Sequence, residues 1–284
     1  TICGRIKFKD DRGEIQISQK DYAESKVERL SIQKGKHQWL SERLSEKETS
    51  IFRSANGVIR WMADQTRPDC AHPCLVMNTK QLAPTWKEVK LFNATVDKII
   101  RQPVAILYKK LEASRWFVTV FCDASHASLN NGDDSCGGYL IFLSNGYKQG
   151  ERKTANILAW KSTKIKRVCR SSTAAETIVL ASAMEEGDLI REQILTMTGL
   201  SKDLVMLEVF CDSKNALDGL QASTPPDSIK AYRHKFALIQ RLLESTKARL
   251  ELVAGVEQMA DSLTKLGASE VDLIETLNKG KFFN

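Results

Sequence analysis

With 284 residues, 42% hydrophobic and 27% charged side chains and a formal charge of +7, the chain has the make-up of a soluble globular protein long enough for two cores. No run of about 18 apolar residues is present, so no membrane span is expected, and no secretory leader opens the chain. Seven scattered cysteines, an odd number, speak against a disulfide scaffold and for a reducing intracellular compartment.

The chain opens on Thr1 rather than Met, which suggests a piece of something longer. Residues 1–115 hold 22 Lys and Arg against 14 Asp and Glu, whereas residues 116–284 hold 20 against 21. A basic surplus in the first part suits a polyanionic partner, and a solvated basic surface accounts for it equally well.

Residues Arg5 to Gln19 alternate, with Ile6 and Phe8, a polar Asp10-Asp11-Arg12-Gly13 turn, then Ile15 and Ile17. This predicts a hairpin. A helix is expected over Lys20–Leu30, then a polar stretch to Ser50. Helical spacing over Ile51–Ala63 is broken by Thr66-Arg67-Pro68-Asp69, and further helices are expected over His72–Leu82 and Thr85–Ile100. Cys70-Ala71-His72-Pro73-Cys74 has a superficial ligand look, but no second Cys/His pair at zinc spacing accompanies it.

The character changes near Leu107. Strands are expected at Trp116–Cys122, Gly137–Leu143 and Ile157–Lys161, followed by a long helix over Thr173–Met197. A fourth strand over Val205–Cys211, a short helix over Ser213–Leu220, a helix over Ser228–Ser245, a fifth strand over Leu250–Val253 and a last helix over Met259–Lys265 complete the order. Hairpins first and crossover helices later imply an α/β fold, a mixed five-stranded sheet with flanking helices, preceded by a smaller hairpin-plus-helices segment.

Val-Phe-Cys-Asp occurs twice, at Val120 and Val209. Asp123 and Asp212 are expected at the ends of the first and fourth strands, Glu176 in the first turn of the long helix and Asp261 at the start of the last one. Singly, each has a structural explanation: a Thr173–Glu176 capping box, a helix cap at Asp212, a favourable dipole at Asp261, a turn at Asp123. Together, a parallel first and fourth strand would deliver both aspartates to one end of the sheet, where open α/β sheets place their sites. Four converging carboxylates repel one another unless hard divalent cations neutralise them, and two such ions about 4 Å apart serve in-line phosphodiester hydrolysis.

The order Asp, Glu, Asp, Asp on these elements resembles the RNase H fold. The surrounding words resemble the RNase H domain of copia-type LTR retrotransposon Pol polyproteins. They are Asp123-Ala124, Ser135-x-x-Gly138-Tyr139, Trp160-Lys161-Ser162, Ser171-Ser172-Thr173-x-Ala175-Glu176, Cys211-Asp212-Ser213 with Ala216, and Ala260-Asp261-x-Leu263-Thr264-Lys265. The words span most of residues 116–266, so the RNase H-like domain is placed at 116–284.

Residues 1–115 resemble the reverse transcriptase thumb and connection. Ile15-Gln16-Ile17-Ser18-Gln19-x-x-Tyr22, Phe52-Arg53-Ser54 with Gly57, and Thr66-Arg67-Pro68-Asp69 carry that likeness. Phe8-Lys9-Asp10-Asp11 mimics a polymerase motif but sits where the family has a hairpin turn, so no polymerase activity is expected. The sequence departs from the family pattern at Ala174-Ala175-Glu176, in a longer polar Asn145–Thr154 loop, and at Tyr232-Arg233-His234-Lys235-Phe236, which leaves open whether His234 takes any role of the family histidine. Ala254–Gln258 also lacks the histidine that cellular RNases H often have there.

The resemblance implies two Mg²⁺ ions, with Mn²⁺ as a substitute, held by Asp123, Glu176, Asp212 and Asp261. Asp123 and Asp212 would bridge, Glu176 would serve the leaving-group side and Asp261 the nucleophile side. It implies an RNA/DNA hybrid as substrate, the remainder of the Pol polyprotein as partner, and a cytoplasmic particle or the nucleus as location.

Eight Lys and Arg against one acid, Glu151, lie between Lys148 and Arg170. Lys161, Lys164, Arg167 and Arg170 are the candidate phosphate contacts, with a solubilising loop as the alternative. Ser213 and Asn215 are candidate sugar or phosphate contacts. Trp160 could stack on a nucleotide or fill the core. Two further readings stand beside the nuclease: a catalytically idle transposon relic that only binds nucleic acid, and a related DNA-cutting enzyme on the same fold.

Overall fold

The computed structural model of the chain describes residues 6–11, 13–31, 40–221 and 232–282. They fall into two compact units, Thr1–Leu107 and Tyr108–Asn284. No described helix is long and apolar enough to cross a membrane.

In the first unit, β1 (Ile6–Lys9) and β2 (Ile15–Ser18) form the antiparallel hairpin. Arg5 and Arg12 lie outside the described residues. Asp10 does turn work: its carboxylate accepts from the Glu14 N–H at 2.9 Å, and its carbonyl accepts from the Gly13 N–H at 3.0 Å. A third strand, β3 (Ala105–Tyr108), extends this sheet beside β2 and was not expected.

Helix α1 (Lys20–Lys26) stops four residues short of Leu30. The buried Asn93 side chain explains this, because its oxygen accepts from the Leu30 N–H and its amide donates to the Leu30 carbonyl, both at 2.9 Å. Helix α2 (Glu46–Gln65) starts earlier than its apolar spacing, since Ser45 and Glu48 make a capping box. Helices α3 (Ala71–Thr79) and α4 (Trp86–Arg101) follow, the latter capped by Thr85 and Glu88.

The Thr-Arg-Pro-Asp word is a buried lock. Arg67 and Asp69, 2% and 0% exposed, pair through two hydrogen bonds of 2.8 and 2.7 Å, and Lys98 Nζ donates to the Asp69 carbonyl at 2.7 Å. Cys70 and Cys74 lie in the apolar core with Phe52, Met62 and Phe92. Burial pushes the Cys74 thiol up to about 12, as befits core filling.

The second unit holds a five-stranded sheet in the order β6-β5-β4-β7-β8. Strands β4 (Trp116–Leu129), β5 (Asp134–Ser144) and β6 (Ala155–Lys164) pair antiparallel. Strand β7 (Val205–Cys211) runs parallel to β4, and β8 (Arg249–Leu252) parallel to β7. Helix α5 (Ser172–Thr198) makes the crossover into β7, and α6 (Lys214–Gln221) and α7 (Arg233–Thr246) follow it. The expected α7 start at Ser228 lies outside the described residues. This is the mixed five-stranded sheet with flanking helices of the expected fold class.

Alternation along β4 divides its work. Val118, Val120, Cys122 and Ala124 join the core with α5 residues such as Val179 and Leu180. The other residues begin with Thr119, whose hydroxyl donates to the buried Glu208 carboxylate at 2.6 Å. Phe121 comes next, in an aromatic cluster with Phe142, Tyr147, Phe210 and Phe282. Asp123 is the third.

Two expectations are corrected here, and one element is new. Strand β4 does not end at Cys122 but runs to Leu129, so Asp123 sits within the strand, paired with Gly138. Residues Met259–Leu263 form a 3-10 turn rather than a last helix. The last helix is α8 (Val271–Lys279), for which no expectation was formed.

Candidate metal centre and nucleic-acid interface

Asp123 is 1% exposed and projects from the middle of the sheet. Glu176 is the fifth residue of α5, whose cap is Ser171: its hydroxyl accepts from the Ala174 N–H at 3.2 Å. The Thr173–Glu176 capping box is therefore not formed, and the glutamate has no capping duty. Asp212 directly follows β7, as expected. The β4–β7 register sets Phe121 opposite Phe210, so Asp123 and Asp212 follow two residues later on neighbouring parallel strands.

These three acids converge. One carboxylate oxygen from each of Asp123, Glu176 and Asp212 lies within 4.8 Å of the others, a spacing that could hold a metal ion. The fourth acid, Asp261, arrives on the 3-10 turn. That turn is pinned from several strands: Gln258, 4% exposed, donates to the Cys122 carbonyl at 3.1 Å, and Ser162 donates to the Leu263 carbonyl at 2.6 Å. The Cys136 thiol points to the Thr264 carbonyl at 3.2 Å, and the Thr264 hydroxyl donates to Asp123 Oδ2.

Close approach of the turn depends on Gly138. A Cβ there would stand 2.5 Å from Leu263 Cβ and 3.2 Å from Thr264 Cγ2. The preceding residue, Gly137, does the same for the long helix: its Cβ would stand 2.2 Å from Val179 Cγ2. Two missing side chains thus let two acid-bearing elements close on the sheet.

Lys265 joins the cluster from the end of the turn. Its Nζ lies 2.8 Å from Asp261 Oδ1 and 3.4 Å from Asp123 Oδ1. Burial, then the Asp123 and Asp212 charges, push the Glu176 carboxyl up to about 9. Burial also raises Asp212 and Asp261, the latter despite its hydrogen bond from Lys265. Such a set of hard oxygen donors, held together against their own repulsion, fits a divalent cation. Asp123, Glu176 and Asp212 would hold it, with Asp261 adjacent.

The sequence-predicted phosphate contacts divide. Lys161, Lys164 and Arg167 line one cleft of about 320 Å³, closed by Ile178 and Ser182 of α5, by Tyr232, and by His234 and Lys235 of α7. Lys164 is ion-paired with Asp134 at 2.7 Å, and Lys235 with Glu185 at 3.3 Å. Arg170 is exposed but not part of that lining. Ser213 and Asn215 sit at the start of α6 beside Asp212. Trp160 is half-buried on β6, opposite Leu140.

Sequence reasoning assigned no role to Lys265, Thr264, Gln258 or Gly138, although the first, second and fourth lie inside the family-like words. The Asp261–Lys265 spacing of four was a readable signal for an ion pair.

No family model matches the chain. Over 142 residues it is 26% identical to "Putative transposon Ty5-1 protein YCL074W" of Saccharomyces cerevisiae, covering 49% of this chain and 42% of that protein. The match thus takes in less than half the length of this relative. The N-terminal RNase H domain of Rv2228c from Mycobacterium tuberculosis, solved as a fusion with maltose binding protein, superposes with a TM-score of 0.37 at 15% identity, over 52% of this chain and 90% of that one. LC11-RNase H1 in complex with an RNA/DNA hybrid gives 0.36 at 17% identity, over 52% and 93%.

Proposed function

We propose that the second unit is a divalent-metal-dependent endonuclease that hydrolyses the RNA strand of RNA/DNA hybrids. The chain as a whole would be the thumb/connection and RNase H part of a copia-type retrotransposon polyprotein, divided near residue 115. The observation that carries this reading is the convergence of Asp123, Glu176 and Asp212 from three separate elements.

Mg²⁺, or Mn²⁺ in its place, would supply phosphate polarisation and water activation for in-line displacement. The chain's own residues do the rest. Asp123, Glu176 and Asp212 offer the ligand oxygens, and Asp261 extends the set on a turn that Gln258 and Thr264 hold against β4. With an ion bound, the raised Glu176 carboxyl gives up its proton, since a nearby cation favours the charged form. Lys161, Lys164, Arg167 and Arg170 take phosphates of the hybrid, and Ser213 and Asn215 its sugars or phosphates, in contacts that follow backbone shape more than base identity.

The first unit would position the hybrid, and its Phe8-Lys9-Asp10-Asp11 word is read as a hairpin turn, in which the Asp10 carboxylate accepts from the Glu14 N–H. The remaining Pol polyprotein is the partner, in a cytoplasmic particle or the nucleus.

The test is cleavage of a labelled RNA/DNA hybrid in Mg²⁺, with RNA/RNA and DNA/DNA duplexes as controls, comparing wild type with Asp123→Asn. RNA-strand cleavage of the hybrid alone, abolished by the substitution, is expected. Cleavage unchanged in Asp123→Asn overturns the site. Tight, salt-sensitive binding without cleavage selects the idle relic instead.

A further inference from the structure

We infer that Lys265 is a tethered counter-ion that occupies the Asp123–Asp261 side of the carboxylate cluster and competes with a divalent ion there. The inference rests on the metal-dependent reading above. It starts from the oxygens of Asp123. One of them, Oδ2, takes the Thr264 hydroxyl. The other, Oδ1, faces Lys265 Nζ at 3.4 Å. The same Nζ lies 2.8 Å from Asp261 Oδ1. A single ammonium group therefore bridges the buried aspartate of the sheet and the aspartate of the turn.

The two sides of the cluster are unequal in consequence. Among the described residues Lys265 pairs with Asp123 and Asp261, whereas no basic side chain forms an ion pair with Glu176 or Asp212. The Asp123–Asp261 side already carries a full positive charge. An ion approaching the first side meets two carboxylates that carry no ion pair, Glu176 and Asp212, and shares only Asp123 with the ammonium group. An ion approaching the second must displace an ammonium group from two oxygens it needs.

Lys265 is suited to withdraw. Its side chain is 41% exposed although one partner, Asp123, is 1% exposed. An ammonium on a flexible four-carbon stem is a compact point charge without the planar fork that would fix it in place. It sits immediately after the 3-10 turn, next to Thr264, whose hydroxyl holds the turn to Asp123 independently. Swinging the lysine outward leaves the turn anchored by Thr264, Gln258 and Ser162. The chain therefore has a strong place and a weak place for divalent ions, and Lys265 sets the difference between them.

The experiment is a Mn²⁺ titration of the full chain after EDTA dialysis, followed by calorimetry and by the EPR signal of free Mn²⁺. Wild type, Lys265→Met, Lys265→Arg and Asp123→Asn are compared. Wild type should bind one ion, with a second at least about tenfold weaker, within the usual range of coupling between sites. Lys265→Met should tighten the weaker class by about tenfold, and Lys265→Arg should restore the gap. The melting temperature separates this from a merely structural role. In EDTA, Lys265→Met should melt below wild type, and Mn²⁺ should raise it by more than it raises wild type. Equal Mn²⁺ binding by Lys265→Met and wild type, or a stability loss that Mn²⁺ leaves untouched, overturns the inference. Asp123→Asn binding Mn²⁺ as wild type does overturns the metal reading itself.

Discussion

One methyl group added at position 138 should disturb both the stability and the chemistry of the second unit. In Gly138→Ala the new Cβ would stand 2.5 Å from Leu263 Cβ, 3.2 Å from Thr264 Cγ2 and 3.2 Å from the Lys161 carbonyl oxygen. Carbon pairs settle at about 3.5–4.0 Å, so the turn must retreat by roughly 1 Å. No rotamer change relieves the contact, because a Cβ moves only with its backbone. Overpacking of this kind costs about 1–3 kcal/mol. The retreat also carries Asp261 and the Thr264 hydroxyl away from Asp123. A misplacement of about 1 Å in a catalytic constellation costs about 10²-fold in rate. Urea unfolding followed by circular dichroism reads the first effect, and hybrid cleavage at saturating Mg²⁺ reads the second. Gly138→Ala with wild-type unfolding midpoint and wild-type cleavage would show that the turn does not depend on this close approach.

Glu208→Ala should cost about 1–3 kcal/mol for each buried donor it leaves unpaired. The Thr119 hydroxyl and the Tyr147 N–H, each at 2.6 Å, would lose their partner, whereas Glu208→Gln keeps an acceptor and should cost less in the same urea titration. Phe282→Ala should cost about 3–5 kcal/mol, since its ring packs edge-on against Phe121, Phe142 and Tyr147; a melting temperature within error of wild type would refute this. In EDTA, stability should fall as pH rises. Glu176 titrates near 9 when folded, against an ordinary value of 4.5, so the folded state holds the extra proton between those values and loses the advantage on passing through the upper one. Melting curves from pH 5 to 9 test this, and an equally steep decline in Glu176→Gln would assign the slope to other groups.

The sheet and its crossover were legible because strong apolar runs and helical spacing leave few alternatives. What escaped was whatever depends on a distant partner. Strand β4 was expected to end at Cys122, since Ala124–Ser128 are small or polar. The strand continues because β5 pairs with it through Ser125 and again at Leu129, across an irregularity. Helix α1 is shorter than its local pattern predicts because the Asn93 side chain that claims Leu30 lies 63 residues away. At 259–263, five residues are too few to propagate an α-helix, and the segment is held at its start by the Gln258 bond to β4 and at its end by bonds from β6 and β5. By contrast, the early start of α2 was readable in Ser45-x-x-Glu48, a capping box outside the apolar pattern.

The four acids were picked out by order and context, with their surroundings unseen. That Asp123 would be buried within a strand, and that a lysine would stand between it and Asp261, required the fold of the turn. The basic cleft was half visible: Lys161, Lys164 and Arg167 lie close in sequence, whereas His234 and Lys235 come from a helix some 70 residues further on.

The β4–β7 register has a consequence for the folding pathway. Thr119 and Glu208 touch across 89 residues of sequence, and β5, β6 and α5 all lie between them. Contacts of that separation close late, because the chain must first meet the entropy of a long loop. Asp123 and Asp212 become neighbours only when that pair closes. On the proposed metal reading, a nascent or partly collapsed chain would have no ion site to fill, and divalent ions would add their binding energy to the finished sheet alone. Ion uptake would then be a natural clock for completion of this unit.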